Sequence, residues 1–345
     1  MQALDTIPYR PARHSLASDE LPGFRPRYLG LSEAEFLALS CGHHTRRLKN
    51  DWLPLLHWLR GIPALRSITT NAAAALEQPL AHEDAGVSGH SLRLRGPDQE
   101  LEFDFSQWHC GFAVAADVDG TQRAGLRFFN PRGDLLHSIE AEAPFRLSLD
   151  RSAAFHAADQ GREQPLPCPR PATPTQLDAF DAECLRLWWQ LPLELTARPV
   201  PGLAPVPRGR LLAALGQDHA IRVELSALHT LVECLDAFEQ ECLRLTVANH
   251  GAVQRCRGRG FYAARMEAAL LLHNETCTLR LLPQAVHTAW IVSKPTHQGE
   301  RLGLELHDEH GELLAGIDAA AQTSGLRTAW ATLLEAIREE TRIKE

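Results

Sequence analysis

The sequence has no long hydrophobic stretch and no apolar export signal. None of its 345 residues belongs to an uninterrupted apolar run of the roughly 20 residues that a membrane span needs. The first residues, MQALDTIPYRPARH, lack the apolar segment that a secretory signal requires. We therefore expect a cytoplasmic protein that does not insert into a membrane.

Common motifs of metal sites, hydrolases and nucleotide-binding proteins are absent as well. The eight cysteines are scattered without any Cys-x-x-Cys pair, which disfavours a structural zinc site and indicates reduced thiols. No glycine-rich phosphate loop, nucleophile elbow or paired-histidine helix motif occurs. The net charge of -8 disfavours nucleic acid as a partner, because its phosphates need basic residues to neutralise them.

What the chain does contain is the same module twice. Residues 101–141 align without a gap on residues 279–319, at an offset of 178 positions. The identical pairs are Leu101/Leu279, Arg123/Arg301, Gly125/Gly303, Leu126/Leu304, Gly133/Gly311, Leu135/Leu313, Leu136/Leu314, Ile139/Ile317 and Ala141/Ala319. Asn71 and Asn249 are separated by the same offset. Such a spacing predicts two units with the same strand order and the same turns.

Local patterns predict helices followed by strands in each half. A helix is predicted to begin at the Ser32 cap, and a second one to run from about Asp51 to Leu59. Short alternating segments between turn residues then predict strands within residues 91–139. The second half repeats the order, with helices at 176–189, 208–215 and 226–238, strands between 243 and 317, and a closing helix at 326–341.

These elements predict an α+β fold built as a tandem structural repeat. Each half would consist of helices followed by a large antiparallel sheet meander, because short strands joined by tight turns pair antiparallel. The predicted organisation is a first repeat at 1–160, a linker at 161–176 that contains five prolines, and a second repeat at 177–345.

Several stretches, in this order and spacing, resemble the haemin-degrading factor family. In the second half they are VANHGAV (247–253), TLRLL (278–282) and AWIVSKPTHQG (289–299). In the first half they are LSEAE (31–35), Cys41-Gly-His43, Gln107-Trp108 and FFNPRG (128–133). The family comprises HemS/HmuS-type cytoplasmic proteins of bacterial haem uptake, and the likeness extends over nearly the full chain.

The resemblance implies haem, as ligand or substrate, in a cleft between the two repeats. Arg208 and Lys294 match family positions that line the pocket, and both residue types pair well with propionates. The family's iron-ligand histidine falls on Leu195 and its distal arginine on Glu102. The resemblance therefore leaves the iron ligand of this chain unknown.

Three further residues are candidates for the site. Arg280 is the duplicate of Glu102 and would bind haem if the arginine role has moved between halves; the alternative is a solvent-facing strand position in each copy. His57, beside an apolar helical stripe, and His297, in a turn, are candidate iron ligands. Their alternatives are a histidine at the edge of the core and a solvated turn histidine.

The expected function is binding or trafficking of haem or a related tetrapyrrole, with a haem oxygenase or a haem-uptake protein as partner. Haem degradation is left open, because the family's iron-side residues are not matched and no residue is assigned a catalytic role. The alternative is a paralogue of the same fold that no longer binds haem and acts as a protein-binding adaptor or a small-anion binder.

Overall fold

A computed structural model describes residues 32–118, 121–141, 151–158, 160, 179–191, 206–238, 242–266, 268–296, 299–319, 324–341 and 343. The helices in these ranges are α1 (Glu33–Leu39), α2 (Trp52–Leu59), α3 (Ala179–Trp189), α4 (Arg208–Leu215), α5 (Ser226–Glu233) and α6 (Ser324–Thr341). No helix in the part of the chain described here is long and apolar enough to cross a membrane.

Within the described ranges, each half contains nine strands. Those of the first half are β1 (Thr45–Arg47), β2 (Leu65–Thr70), β3 (Ala74–Pro79), β4 (Asp84–Ser88), β5 (Ser91–Arg95), β6 (Gln99–Asp104), β7 (Cys110–Val118), β8 (Thr121–Phe129) and β9 (Leu135–Ala141). Those of the second half are β10 (Ala220–Val223), β11 (Leu243–Ala248), β12 (Ala252–Gly258), β13 (Tyr262–Arg265), β14 (Leu270–His273), β15 (Thr278–Leu281), β16 (Thr288–Thr296), β17 (Gly299–His307) and β18 (Leu313–Ala319).

The strands form two antiparallel sheets, and each sheet contains strands of both halves. The first sheet has the order β1-β7-β8-β9-β2-β3-β15-β14-β13, and the second β10-β16-β17-β18-β11-β12-β6-β5-β4. Leu279 lies opposite Leu76 where the halves meet in the first sheet, and Glu102 lies opposite Val253 where they meet in the second. The predicted duplicated α+β fold is confirmed. The exchange of three strands between the halves was not predicted.

The two halves keep the predicted offset through their strands. β2 begins at Leu65 and β11 at Leu243, and both positions follow the spacing of 178 found in the sequence. Even the irregularities repeat, because the register shifts at Phe128/Phe129 in β8 and at the equivalent Leu306/His307 in β17. The predicted linker at 161–176 lies outside the described residues, so the division of the chain at that point stays a prediction.

The core lies between the two sheets. One apolar cluster joins Leu304 of the second sheet to Leu279 of the first and includes residues of α5 and α6. A second joins Leu126 of the first sheet to Phe103 of the second and includes residues of α2. Because each cluster contains side chains from both sheets, burial of apolar surface holds the sheets face to face.

Helices α1 and α4 begin in the same way on the outer faces of the sheets. The Ala34 N–H donates to the Gly133 carbonyl at 3.4 Å, and the Gly209 N–H donates to the Gly311 carbonyl at 2.7 Å. Gly133 and Gly311 are equivalent turn residues with φ values of 78° and 81°, a region that favours glycine. The predicted Ser32 cap is confirmed, since its hydroxyl accepts a hydrogen bond from the Glu35 N–H.

Candidate functional site

A small cleft with a cavity volume of about 50 Å³ lies on the outer face of the second sheet. The residues that line it are Arg208, Arg244, Thr246, Val292, Lys294, Arg301, Gly303, Leu304, Glu305, Leu313, Gly316, Ile317 and Asp318. Four basic side chains against two acidic ones give this lining a net charge of +2. The cleft can therefore attract an anion, while the side chains of Val292 and Leu313 offer apolar contact.

Arg208, at the start of α4, already has a carboxylate partner. Its Nε donates to Glu305 Oε2 at 3.0 Å and its Nη2 donates to Oε1 at 2.7 Å, which is the bidentate geometry typical of arginine. Burial opposes ionisation of Glu305, but the charge of Arg208 and the hydrogen bonds it donates outweigh it, so the pKa of this carboxyl lies well below its usual range. The pair fixes the guanidinium at the edge of the cleft.

Lys294, on β16, has a different environment. Its ammonium donates to the carbonyl of Trp189 and, at 2.9 Å, to that of Leu191. The described residues give it no carboxylate within salt-bridge distance, and burial together with the nearby Arg208 charge lowers the pKa of Lys294 to about 8. Lys294 is therefore a poorly compensated cation, which an anionic group would stabilise.

Trp189, the last residue of α3, positions both cations. The Arg208 Cζ lies 4.7 Å and the Lys294 Nζ 4.8 Å from the centroid of its ring. The ring is itself held in place, because its indole N–H donates to the Ser293 carbonyl at 2.8 Å. Trp189 was not predicted from the sequence, because a tryptophan on a helix usually indicates core packing.

Arg244 and Arg301 complete the basic lining and were also missed. Arg244 donates twice to Asp318 Oδ2, at 3.1 Å from Nε and 2.7 Å from Nη2. Arg301 Nε lies 3.9 Å from the other oxygen of the same carboxylate. Arg301 is one of the residues shared by both copies, so the repeat alignment contained a signal for it.

Comparisons with known proteins match both halves of the chain. The family described as Haemin-degrading HemS.ChuX domain matches residues 30–158 and again residues 205–337. The chain belongs to the HemS/ChuX family.

Two curated proteins are similar to this HemS/ChuX-family chain over most of its length. Hemin transport protein HemS of Yersinia enterocolitica is 27% identical over 293 residues, which cover 83% of this chain and 84% of the relative. Hemin transport protein HmuS of Yersinia pestis is 28% identical over 309 residues, which cover 87% and 88%.

Solved structures of two further proteins have the same fold. Holo-PhuS, a heme-binding protein from Pseudomonas aeruginosa, aligns with a TM-score of 0.75 at 24% identity and covers 89% of this chain and 91% of its own. The heme degrading enzyme ChuS of Escherichia coli O157:H7 aligns with a TM-score of 0.74 at 22% identity, again over 89% and 91%.

Two predicted residues of this HemS/ChuX-family chain lie together in the cleft, and the strand exchange separates a third from them. Arg208 and Lys294 both line the cleft. Arg280 is in the other sheet, opposite Ala75, with only 6% of its surface exposed. The alternative of a solvent-facing position is therefore wrong for Arg280, and its role as a ligand contact in this cleft has no geometric support.

Glu102, where the family places an arginine, lies on the same outer face as the cleft. Thr246 of the cleft lies opposite Arg255 in the neighbouring strand, so the two side chains share a face of the sheet. The Arg255 Nη1 donates to Glu102 Oε1 and to Glu100 Oε2, both at 2.9 Å. Burial opposes ionisation of Glu102, but Arg255 and Arg93 outweigh it and lower the pKa of its carboxyl. Glu102 is thus held as a carboxylate by neighbouring arginines.

Of the two candidate iron ligands, only His57 is among the described residues. His57 is exposed on α2 of the first half and is not among the lining residues. His297 and Leu195 lie outside the described residues. Within the described part of the chain, no group of three or more histidine, cysteine or acidic side chains could hold a metal ion.

Proposed function

We propose that this protein binds haem or a related dianionic tetrapyrrole in the cleft of the second sheet. The observation that carries the proposal is the net charge of +2 in the lining, which complements two propionates. Lys294 would take one carboxylate directly, because it has only carbonyl partners among the described residues. Arg208 would present any guanidinium N–H that Glu305 leaves unused.

The lining fits the edge of a tetrapyrrole better than its iron. Val292 and Leu313 offer apolar surface beside the cations, which the edge of a flat macrocycle can contact. Haem supplies redox-active iron when it is bound, and proteins usually hold that iron through histidine, cysteine, methionine or tyrosine. The described lining residues contain none of these four types.

A lining with basic and apolar residues but no usual iron ligand supports binding and transfer in the cytoplasm. Ring opening would be carried out by a partner such as a haem oxygenase. A transfer protein must release its ligand, and carboxylate pairing at a surface cleft is more readily reversed than a bond to iron. A haem-uptake protein would be the source of the ligand. The likeness to hemin transport proteins over more than four fifths of the chain supports this role.

A haemin titration tests the proposal. We expect a Soret band that shifts and saturates at one equivalent, and a clear loss of affinity in Lys294→Gln, because the variant keeps a polar chain but removes the charge. Arg208→Lys is preferable to Arg208→Ala, since it does not leave the buried Glu305 without a cation. Arg265→Ala is a matched control, because Arg265 is an exposed cation on β13 of the other sheet.

The alternative function, an adaptor or small-anion binder, is favoured by one observation. Glu102 is neutralised by Arg255, and Arg208 is neutralised by Glu305, so both positions are satisfied without a ligand. A haemin spectrum that stays broad, never saturates and is the same in Lys294→Gln would favour this alternative.

A further inference from the structure

The cleft contains groups that recognise carboxylates and no described group that recognises iron. Its polar lining consists of four basic side chains, the two acids that compensate them in part, and one threonine. Arginine and lysine cannot act as iron ligands in their charged state, because they present donors only. The polar side of the cleft is thus specialised for an anionic edge.

Neither acid of the cleft is available for a metal. Both Glu305 oxygens accept hydrogen bonds from Arg208, and Asp318 Oδ2 accepts two from Arg244. Recruiting either carboxylate to an iron would leave a nearly buried guanidinium without its partner, which costs more than an exposed ion pair would. The acids therefore keep the cations in place and do not serve as metal ligands.

A buried histidine on the same strand as Glu305 is closed off from the cleft. His307 follows Glu305 on the same face of β17, but it is fully buried and its Nε2 lies 3.4 Å from Glu305 Oε2. It is not among the lining residues. The segment that joins α3 to α4, residues 192–205, contains no histidine, cysteine, methionine or tyrosine in its sequence.

We propose that this cleft selects tetrapyrroles by their carboxylates and not by their iron, so that iron-free porphyrin dicarboxylates bind with an affinity similar to that of haemin. The inference rests on the proposed function and narrows its ligand class. Without an iron bond, affinity comes from ion pairing of the propionates with Lys294 and Arg208 and from apolar contact of the ring edge, and neither contribution requires the metal.

The test compares three probes in one buffer with a low detergent concentration: haemin, protoporphyrin IX and protoporphyrin IX dimethyl ester. Quenching of protein fluorescence reports binding for all three, because Trp188 and Trp189 lie next to Lys294. We expect dissociation constants for haemin and protoporphyrin IX that agree within about threefold, and a loss of about tenfold or more for the ester, which lacks the charges.

The variants separate the two recognition modes. Lys294→Gln should weaken haemin and protoporphyrin IX by the same factor, whereas Arg265→Ala should leave both unchanged. The proposal is overturned if haemin binds more than about tenfold tighter than protoporphyrin IX. It is also overturned if the electron paramagnetic resonance spectrum of the ferric complex shows a nitrogen or sulfur ligand from the protein.

The same data distinguish this inference from the function on which it rests. If haemin saturates and protoporphyrin IX does not, only the ligand-class proposal is lost. If neither saturates, haem binding itself is rejected, and the ligand-class proposal is rejected with it.

Discussion

Asn71 and Asn249 occupy the same position in the two copies, and each ties its own half to the other. The Asn71 amide donates to the carbonyls of Ala248 and Leu314 at 2.8 and 2.7 Å. The Asn249 amide donates to those of Thr70 and Leu136, which are the equivalent residues of the first half, at 2.6 and 2.7 Å. Both side chains are therefore central to the contact between the halves.

Replacing either asparagine by aspartate should destabilise the fold by about 1–3 kcal/mol, because two part-buried carbonyls lose their donors and face a carboxylate instead. Asn71→Asp and Asn249→Asp should have similar effects, since their bonds match. Urea denaturation measures this, with Asn50→Asp as control for an exposed asparagine that makes a single amide bond. An unchanged midpoint in either variant would contradict the interpretation.

The Arg208–Glu305 pair has a counterpart of opposite polarity in the first half. Arg127 is equivalent to Glu305, and it pairs with Glu33 at the start of α1, where the second half has Arg208 at the start of α4. The anchoring of the helix to the sheet is thus conserved between the copies, although the charges are exchanged.

This exchange predicts that the polarity of the first pair can be reversed. Glu33→Arg or Arg127→Glu alone should cost about 1–3 kcal/mol, because two like charges then meet in a partly buried contact. The double variant should recover most of that loss, as a double-mutant cycle in urea would measure. A double variant no more stable than the weaker single variant would show that polarity is not interchangeable here.

Anion binding should depend on pH through Lys294. Its pKa is lowered to about 8, so the ammonium that attracts a carboxylate is present below that pH and is lost above it. We expect haemin affinity to fall by about three- to tenfold between pH 7 and pH 9 in the wild type.

Lys294→Arg is the matched control for this titration, because its guanidinium stays charged throughout and the free ligand experiences the same pH change. The difference between the pH profiles of haemin affinity in the two proteins therefore reports the titration of Lys294, separately from any pH-dependent change in haemin itself. Equal pH profiles would exclude Lys294 as the titrating group.

His137 should make the fold sensitive to acid. Its imidazole is fully buried between the sheets, within 2.9 Å of Thr69 Oγ1 and 3.3 Å of Ser67 Oγ, and burial lowers its pKa to about 3. Because the folded-state pKa lies below that of the unfolded chain, the unfolded chain binds the proton first. Stability is therefore lost as pH falls below the normal histidine value.

The expected contribution is about 1.4 kcal/mol per pH unit between roughly pH 6 and pH 4. His137→Gln retains a donor and an acceptor but does not titrate, so its free energy of unfolding should fall less steeply with pH. Denaturation series at pH 7, 6 and 5 measure the two slopes. Parallel slopes would show that other groups cause the acid sensitivity.

The sequence predicts the helices and strands of this fold better than it predicts which strands pair. Strand patterns identified β11 and β12 in the second half, whereas the equivalent β2 and β3 were missed, although the repeat offset maps Leu65–Thr70 onto Leu243–Ala248. In β2, Ser67 and Thr69 replace the apolar Leu245 and Val247, and this removed the alternation on which a strand prediction depends.

The site was predicted only in part, because its geometry depends on which strands pair. The family resemblance identified Arg208 and Lys294, but neither periodicity nor resemblance states which sheet a strand joins. Arg280 was grouped with them as the duplicate of Glu102, but the exchange places its strand in the first sheet, away from the cleft. Arg244 was missed because its significance depends on the register that places it opposite Asp318.

The exchange of strands has a consequence for how the chain can be divided. Either half, alone, would expose the strand β3 or β12 that normally pairs with the other half, and would carry a three-stranded hairpin unit with no sheet to join. Separate fragments are therefore complementary pieces and not autonomous modules. A single copy of the repeat would satisfy both edges only by pairing with a second molecule, so the tandem gene can be understood as a covalently joined dimer.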